Sequence, residues 1–177
     1  MPETGRPGSP NPEELIARYQ RRVYAVIHRM TGNHPEVDDL CQETFLQAIR
    51  SLPNLPAGGN LDAWVYRIAM NVSVDHLRRV GRDRRIAETL KAGPAPSDSS
   101  PAIRDEELVR AVQNAMGELP EEQRVVMVLR MFENLSHEEI SRIVEAPVAT
   151  VRWRLFSARQ KLEEVLSPWM ETEGRFA

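Results

Sequence analysis

The chain has 177 residues, enough for one ordinary domain or two small ones. Hydrophobic residues make up 41%, charged residues 28% and aromatics 6%, which suits small helical units with aliphatic cores better than a large antiparallel sheet. The net charge of −3 argues against a chain that grips nucleic acid by bulk charge alone, so any such role must rest on how the charge is distributed.

One cysteine, Cys41, excludes an intrachain disulfide. The four histidines make no cluster with it at metal-ligand spacing, although His34 and Cys41 can share a helix face. Two such groups are not a site, and we expect neither a metal nor another cofactor. Cys41 reads as a core thiol. No apolar run approaches the ~20 residues that span a bilayer, and residues 1–10 hold no hydrophobic signal core. A cytoplasmic protein without membrane insertion is expected.

Residues 1–10 are rich in Pro, Gly and Ser and are expected to be disordered. Asn11-Pro12-Glu13-Glu14 then starts a helix, with Asn11 as cap and Glu14 completing a capping box. Leu15, Tyr19, Val23, Val26, Ile27 and Met30 recur at helical spacing, and Gly32 is the expected stop. A second helix starts near Pro35. Its apolar stripe is Val37, Leu40, Cys41, Phe45, Ala48, Ile49 and Leu52, with Asp38, Asp39, Gln42 and Glu43 on the polar side. Prolines and glycines between residues 52 and 59 demand a loop.

The third helix is expected from about Asn60 to Arg79. Leu61, Trp64, Val65, Ile68, Ala69 and Val72 form its inner face, while Arg67, Asn71, Asp75 and Arg78 share an outer one. Arg78, Arg79, Arg82, Arg84 and Arg85 follow closely enough to neutralise several phosphates; a solvated helix end is the plainer alternative. Arg67 and Asn71 are able to read bases. Trp64 reads as core before it reads as a stacking surface, and Tyr66 stays open between the two. The acidic face of the second helix is either solvated or a protein-binding surface. Nothing there raises a carboxylate pKa or sets a nucleophile beside one, so an enzyme is not the leading reading.

Residues 91–100 cannot bury a core and divide the chain. A new helix opens at Ser100-Pro101, with Leu108, Val112, Ala115, Met116 and Leu119 facing inward. Leu119-Pro120-Glu121-Glu122 restarts the chain as another helix carrying Val125, Val126, Leu129 and Phe132. Ser136-His137-Glu138-Glu139 is a capping box for a short helix that reaches about Val144. The break Glu145-Ala146-Pro147 precedes a last helix to about Leu166. A capped short helix, a tight break and a longer helix form a helix-turn-helix pattern, whose second helix enters the major groove. Arg152, Arg154 and Arg159 suit guanine edges and phosphates, and Thr150 suits a phosphate or a thymine methyl. An ordinary helical hairpin with a solvated basic face is the alternative.

These features, in this order, resemble the extracytoplasmic-function group of the sigma-70 family. Asp39-Leu40-Cys41-Gln42-Glu43-Thr44-Phe45 resembles the D-L-x-Q-E-x-F pattern of its region 2.2. Residues 64–71 (WVYRIAMN) with Asp75-His76-Leu77-Arg78-Arg79 resemble regions 2.3 and 2.4. Leu119-Pro120-Glu121-Glu122-Gln123-Arg124 resembles the start of region 4. Residues 135–140 and 147–159 resemble its helix-turn-helix.

The resemblance implies an all-α fold of two small domains and a set of roles. Region 2 would span residues 11–85, a linker 86–102 and region 4 residues 103–167, with 168–177 as a tail. Asp39, Gln42, Glu43 and Phe45 would dock on the beta-prime coiled coil of core RNA polymerase, and region 4 on its beta flap. Tyr66, Arg67, Asn71, Asp75, Arg78, Arg79 and Arg82 would lie against the −10 element. The loop of residues 54–60 would capture a flipped base, at a cost of a few kcal/mol that pocket contacts offset. Thr150, Arg152, Trp153, Arg154, Phe156 and Arg159 would serve the −35 element. The linker would thread through polymerase, and an anti-sigma factor would hold the protein in check.

Three positions depart from the family pattern. Glu145 stands in the turn where Gly is common, so the turn is either a strained left-handed one or of a different type. Ala149 replaces a common Gly, and Trp153 a small Ser. The alternative reading of the whole chain is a stand-alone helix-turn-helix regulator, which leaves the Gln42-Glu43 face without a role.

Overall fold

The computed structural model describes residues 11–32, 35–55, 58–90 and 104–173, with side chains described at 11–32, 35–55, 58–82 and 109–167. Among these residues there are seven α-helices and no strand.

Helix α1 (Pro12–Thr31) starts as its sequence dictates. The Asn11 side chain accepts from the Glu14 N–H at 2.8 Å, and Glu14 returns the bond to the Asn11 N–H at 3.2 Å. Gly32, with φ 72°, ends it. The buried stripe Leu15, Tyr19, Val23, Val26, Ile27 and Met30 packs against α2 (Val37–Ser51) and α3 (Leu61–Leu90). Six such side chains at zero exposure explain why this three-helix unit holds together; truncating any one Leu, Ile or Met to Ala typically costs about 2–5 kcal/mol.

Asn60 caps α3, accepting from the Ala63 N–H at 3.0 Å. Asp62 in its first turn receives the Tyr19 hydroxyl and pairs with Arg18 at 3.5 Å, which fixes α3 across α1. Burial first, then the Asp62 hydrogen bond, pushes the Tyr19 phenol well above its ordinary pKa, so it remains a donor. The helix runs eleven residues past Arg79, to Leu90. Gly81 is accommodated as a helix-interior residue there, and residues 86–90 are helical.

The second unit contains α4 (Arg104–Glu118), α5 (Glu121–Met131), α6 (His137–Val144) and α7 (Val148–Glu173). The expected α4 start at Ser100-Pro101 lies outside the described residues. Helix α7 continues beyond the expected Leu166 to Glu173, running through Pro168 although that residue supplies no backbone donor to the helix. The α6–α7 pair shares a small core of Ile140, Ile143, Val151, Leu155 and Ala158.

The two units are in contact. Helix α1 packs on α5, and α3 packs on α5 and α6. Arg124 in α5 is buried and donates to the Leu119 carbonyl at 3.2 Å, to the Gly117 carbonyl, and across the boundary to the Met30 carbonyl at 2.9 Å. It thereby satisfies carbonyls at the C-terminal ends of α4 and α1 that their own helices leave open.

Candidate nucleic-acid and polymerase interface

The helix-turn-helix is built from a cap, a turn and a rigid reading helix. Ser136 Oγ accepts from the Glu139 N–H at 3.2 Å, while the Glu139 carboxylate accepts from the Ser136 N–H at 2.7 Å. The Ser136 N–H first, and then the Ser136 hydroxyl at 2.8 Å, donate to that carboxylate and lower the Glu139 pKa. Helix α6 ends on Glu145 in the left-handed region, φ 50° and ψ 42°, so of the two alternatives the strained turn is the one adopted. Ser141 closes the turn, its hydroxyl donating to the Ala146 carbonyl at 2.6 Å and its own carbonyl accepting from the Ala146 N–H at 3.2 Å.

Beyond the turn, Ala149, Arg152, Trp153, Phe156 and Gln160 are exposed on one face of α7. Trp153 is 63% exposed and Phe156 60%, although both are large apolar side chains. Arg159 is also exposed. Two expected members sit elsewhere. Thr150 is half-buried, and Arg154 pairs with Glu122 of α5 with its side chain only 17% exposed. Positions 150 and 154 lie one turn apart on the flank of α7 that faces the other helices. The sequence pattern of arginines does not separate that flank from the outer one; the helical phase of buried Val151 and Leu155 does.

On α2, Asp39, Gln42 and Glu43 are exposed, as expected of a docking face. Phe45 is not part of it: its ring is 9% exposed and joins the core. The apolar group on that face is Leu46, 48% exposed, three residues from Glu43 and four from Gln42. Sequence reasoning missed it because the D-L-x-Q-E-x-F pattern stops one residue short. Cys41 is half-buried among core side chains, and burial, aided by Asp38, pushes its thiol up to about 11.

On α3, Asn71, Asp75, Arg78, Arg79 and Arg82 are exposed, while Arg84 and Arg85 lie outside the described side chains. Arg79 pairs with Glu36 at 3.3 Å and lies 3.2 Å from His76 Nδ1. A cleft of about 590 Å³ runs between α2 and α3, lined by Asp39 and Glu43 on one side and Asp75, Arg79 and Arg82 on the other. The acidic face and the arginine end therefore border one surface. In the loop before α3, Pro56 and Ala57 lie outside the described residues; the rest carries a short 3-10 turn at Leu52–Asn54.

Tyr66 and Arg67 point differently from the rest of their set. Tyr66 is 4% exposed and its hydroxyl donates to Glu133 Oε2 at 2.5 Å. Burial and then this bond raise its phenol far above its ordinary pKa. Arg67 reaches the end of α6 instead of solvent: Nε donates to the Ile143 carbonyl at 3.2 Å, Nη2 to the Arg142 carbonyl at 2.5 Å, and Nη1 pairs with Glu145 at 2.6 Å. Trp64 is half-buried against the core, as its position on the inner face predicts. Among the described residues no group of three or more His, Cys, Asp and Glu is placed to hold a metal ion. No described helix is long and apolar enough to cross a membrane.

Comparison with known proteins places these surfaces in context. The family model for sigma-70 region 2 matches residues 15–83, and that for sigma-70 region 4 matches residues 109–162. The RNA polymerase sigma-H factor of Pseudomonas aeruginosa is 35% identical over 166 residues, covering 87% of this chain and 85% of its own length. The ECF RNA polymerase sigma-E factor of Escherichia coli K12 is 34% identical over 164 residues, covering 87% and 85%. Among solved structures, CnrH in complex with the cytosolic domain of CnrY aligns with a TM-score of 0.66 and 26% identity over 89% of this chain and 88% of that one. RpoE of Bartonella quintana, in complex with the anti-sigma factor NepR, aligns with a TM-score of 0.68 over 88% and 96%; at 20% identity this speaks for the fold alone.

Proposed function

Since the chain belongs to the extracytoplasmic-function group of the sigma-70 family, we propose that its exposed faces divide the work of transcription initiation as follows. The protein is a sigma factor: it joins core RNA polymerase, recognises two promoter elements and promotes initiation. Residues 11–85 act as region 2, residues 86–102 as the connection and residues 103–167 as region 4, with the α3 and α7 helices extending past the outer limits of the two domains.

Asp39, Gln42 and Glu43, joined by Leu46, dock on the beta-prime coiled coil. A central apolar side chain ringed by polar ones is the usual composition of a protein-binding patch. Region 4 docks on the beta flap. Asn71, Asp75, Arg78, Arg79 and Arg82 face the −10 element, with Arg67 joining them once it leaves α6. Arg152, Trp153, Phe156 and Arg159 read the −35 element. Arginine supplies base-edge and phosphate contacts there, and the two exposed rings supply apolar contact with thymine methyls. The single observation that carries this reading is the pair of separate exposed faces, on α2–α3 and on α7, in a chain that matches both sigma regions.

Bond-making belongs to the polymerase, and this chain is not itself an enzyme. It works in the cytoplasm, where its DNA and polymerase partners are, and takes no cofactor. An anti-sigma factor restrains it; the similar CnrH, solved in complex with the cytosolic domain of CnrY, supports that expectation. The test of the docking assignment is co-elution with purified core polymerase. Wild type should co-elute, and a Gln42→Ala/Glu43→Ala/Leu46→Ala variant of unchanged helical content should not. Co-elution of that variant at wild-type strength would refute the assignment.

A further inference from the structure

Arg67 is the residue in which the two units meet most closely. All three nitrogens of its guanidinium are engaged by the second unit: Nε and Nη2 by the Ile143 and Arg142 carbonyls, Nη1 by Glu145. The last carbonyls of a helix lack intrahelical partners and carry its negative dipole end, so a cation there is doubly favoured. Arg124 makes the converse contact, reaching out of α5 to the Met30 carbonyl at the end of α1. Each unit thus inserts one arginine into a helix C-terminus of the other.

Two further contacts lie beside them. Glu133, in the loop after α5, accepts from Tyr66 at 2.5 Å and pairs with Arg29 at 3.5 Å. The Arg29 guanidinium stacks on Phe132, 4.5 Å from the ring centroid. Asn71, Asp75 and Arg78 face Glu122, Val144 and Arg154 across a cleft of about 300 Å³. These polar, charge-assisted contacts rim a boundary where the apolar side chains of the two units join in one cluster, and a modest mixed boundary of this kind is one that opens and closes.

Glu145 is the informative member. It holds a left-handed backbone, φ 50°, that a glycine adopts without strain. What a glycine lacks is the carboxylate that meets Arg67 at 2.6 Å.

We propose that the Arg67–Glu145 clamp holds the free protein in a closed, self-inhibited state in which the helix-turn-helix turn occupies a −10-reading arginine. This rests on the reading of Arg67 as a DNA contact given above. Binding of Arg67 to a promoter and to α6 exclude one another, because the same three nitrogens serve both. In the closed protein Arg67 is withheld from DNA while the α7 face stays exposed, and release of Arg67 must precede engagement of the −10 element.

The test uses the full chain with a Cys41→Ser background and dye-bearing cysteines at the exposed positions Arg50 and Glu163, followed by single-molecule energy transfer. The free wild type is expected to show mainly one short distance. Glu145→Gln, which changes only an exposed side chain, should raise the open-to-closed ratio by about two- to fivefold, the range for a single half-exposed ion pair. Arg67→Ala, which also removes two hydrogen bonds, should raise it further, and added salt should open the wild type in the same direction. The affinity of the free chain for a randomised pool of single-stranded DNA should rise in Glu145→Gln by the same factor. A distance distribution that ignores both substitutions would overturn the clamp, and a shifted distribution with unchanged affinity for single-stranded DNA would overturn the inhibition. If distances shift as expected but no variant, wild type included, binds core, the clamp stands and the sigma reading falls.

Discussion

Arg154 of α7 is ion-paired with Glu122 of α5, so an arginine on the reading helix fastens that helix to its own domain instead of presenting itself to DNA. This separates two kinds of arginine on α7. Arg154→Ala should lower the stability of the second unit by up to about 1 kcal/mol, given its partly exposed partner. It should also leave the ranking of −35 sequences unchanged. Arg152→Ala should cost about 1–3 kcal/mol at its cognate base and relax selection there. Thermal melts and binding to a panel of −35 variants check both halves; a changed ranking in Arg154→Ala would contradict the assignment.

Phe45 and Leu46 are adjacent in sequence but opposite in burial, 9% against 48% exposed. Phe45→Ala should destabilise the first unit by about 3–5 kcal/mol, since it leaves a cavity in the core. Leu46→Ala should leave stability within about 0.5 kcal/mol and weaken core-polymerase binding. Denaturant melts with a polymerase pull-down distinguish these outcomes.

The Ser136–Glu139 box makes a pH prediction. The Glu139 pKa lies below its ordinary value of 4.5 because Ser136 donates to the carboxylate. A carboxylate with a depressed folded pKa contributes stability that is fully present above its unfolded pKa. That contribution is lost as pH falls through the folded one. The second unit should therefore lose cap stability as pH drops below about 4.5. Ser136→Ala should cost about 1 kcal/mol at neutral pH and flatten that acid dependence. Melts of the two proteins between neutral and acidic pH provide the check.

Cys41 has a thiol pushed up to about 11 by burial, so it is protonated at neutral pH. Alkylation of the folded protein at neutral pH should be slow and should accelerate in denaturant. Cys41→Ser should leave promoter-dependent transcription unchanged under oxidising and reducing conditions. Redox-dependent loss of activity that disappears in Cys41→Ser would show a sensing role instead.

Much of the fold was legible because local chemistry was unambiguous. The capping boxes at Asn11 and Ser136 set helix starts without help from tertiary contacts. The stripe from Leu15 to Met30 could face only a core. The unusual turn at Glu145 was flagged from a position where a glycine is common, although its left-handed backbone was only one of two alternatives. What escaped had its cause outside the local window. Helix α3 passes through Gly81 because one glycine costs a helix only about 1 kcal/mol. Phe45, Thr150 and Arg154 were assigned by motif position, whereas their direction is set by helical phase against neighbouring helices. The partners of Tyr66 and Arg67 lie 67 and 76 residues away from them, at Glu133 and Ile143, beyond any pattern in the chain.

Transcription from a randomised promoter library, with purified core polymerase in the presence and absence of this protein, tests the central claim most directly. The account predicts initiation that depends on the protein and selects two motifs at fixed spacing. It also predicts altered choice at the upstream motif in Trp153→Ala. Folded protein that neither binds core nor changes which promoters are used would contradict it.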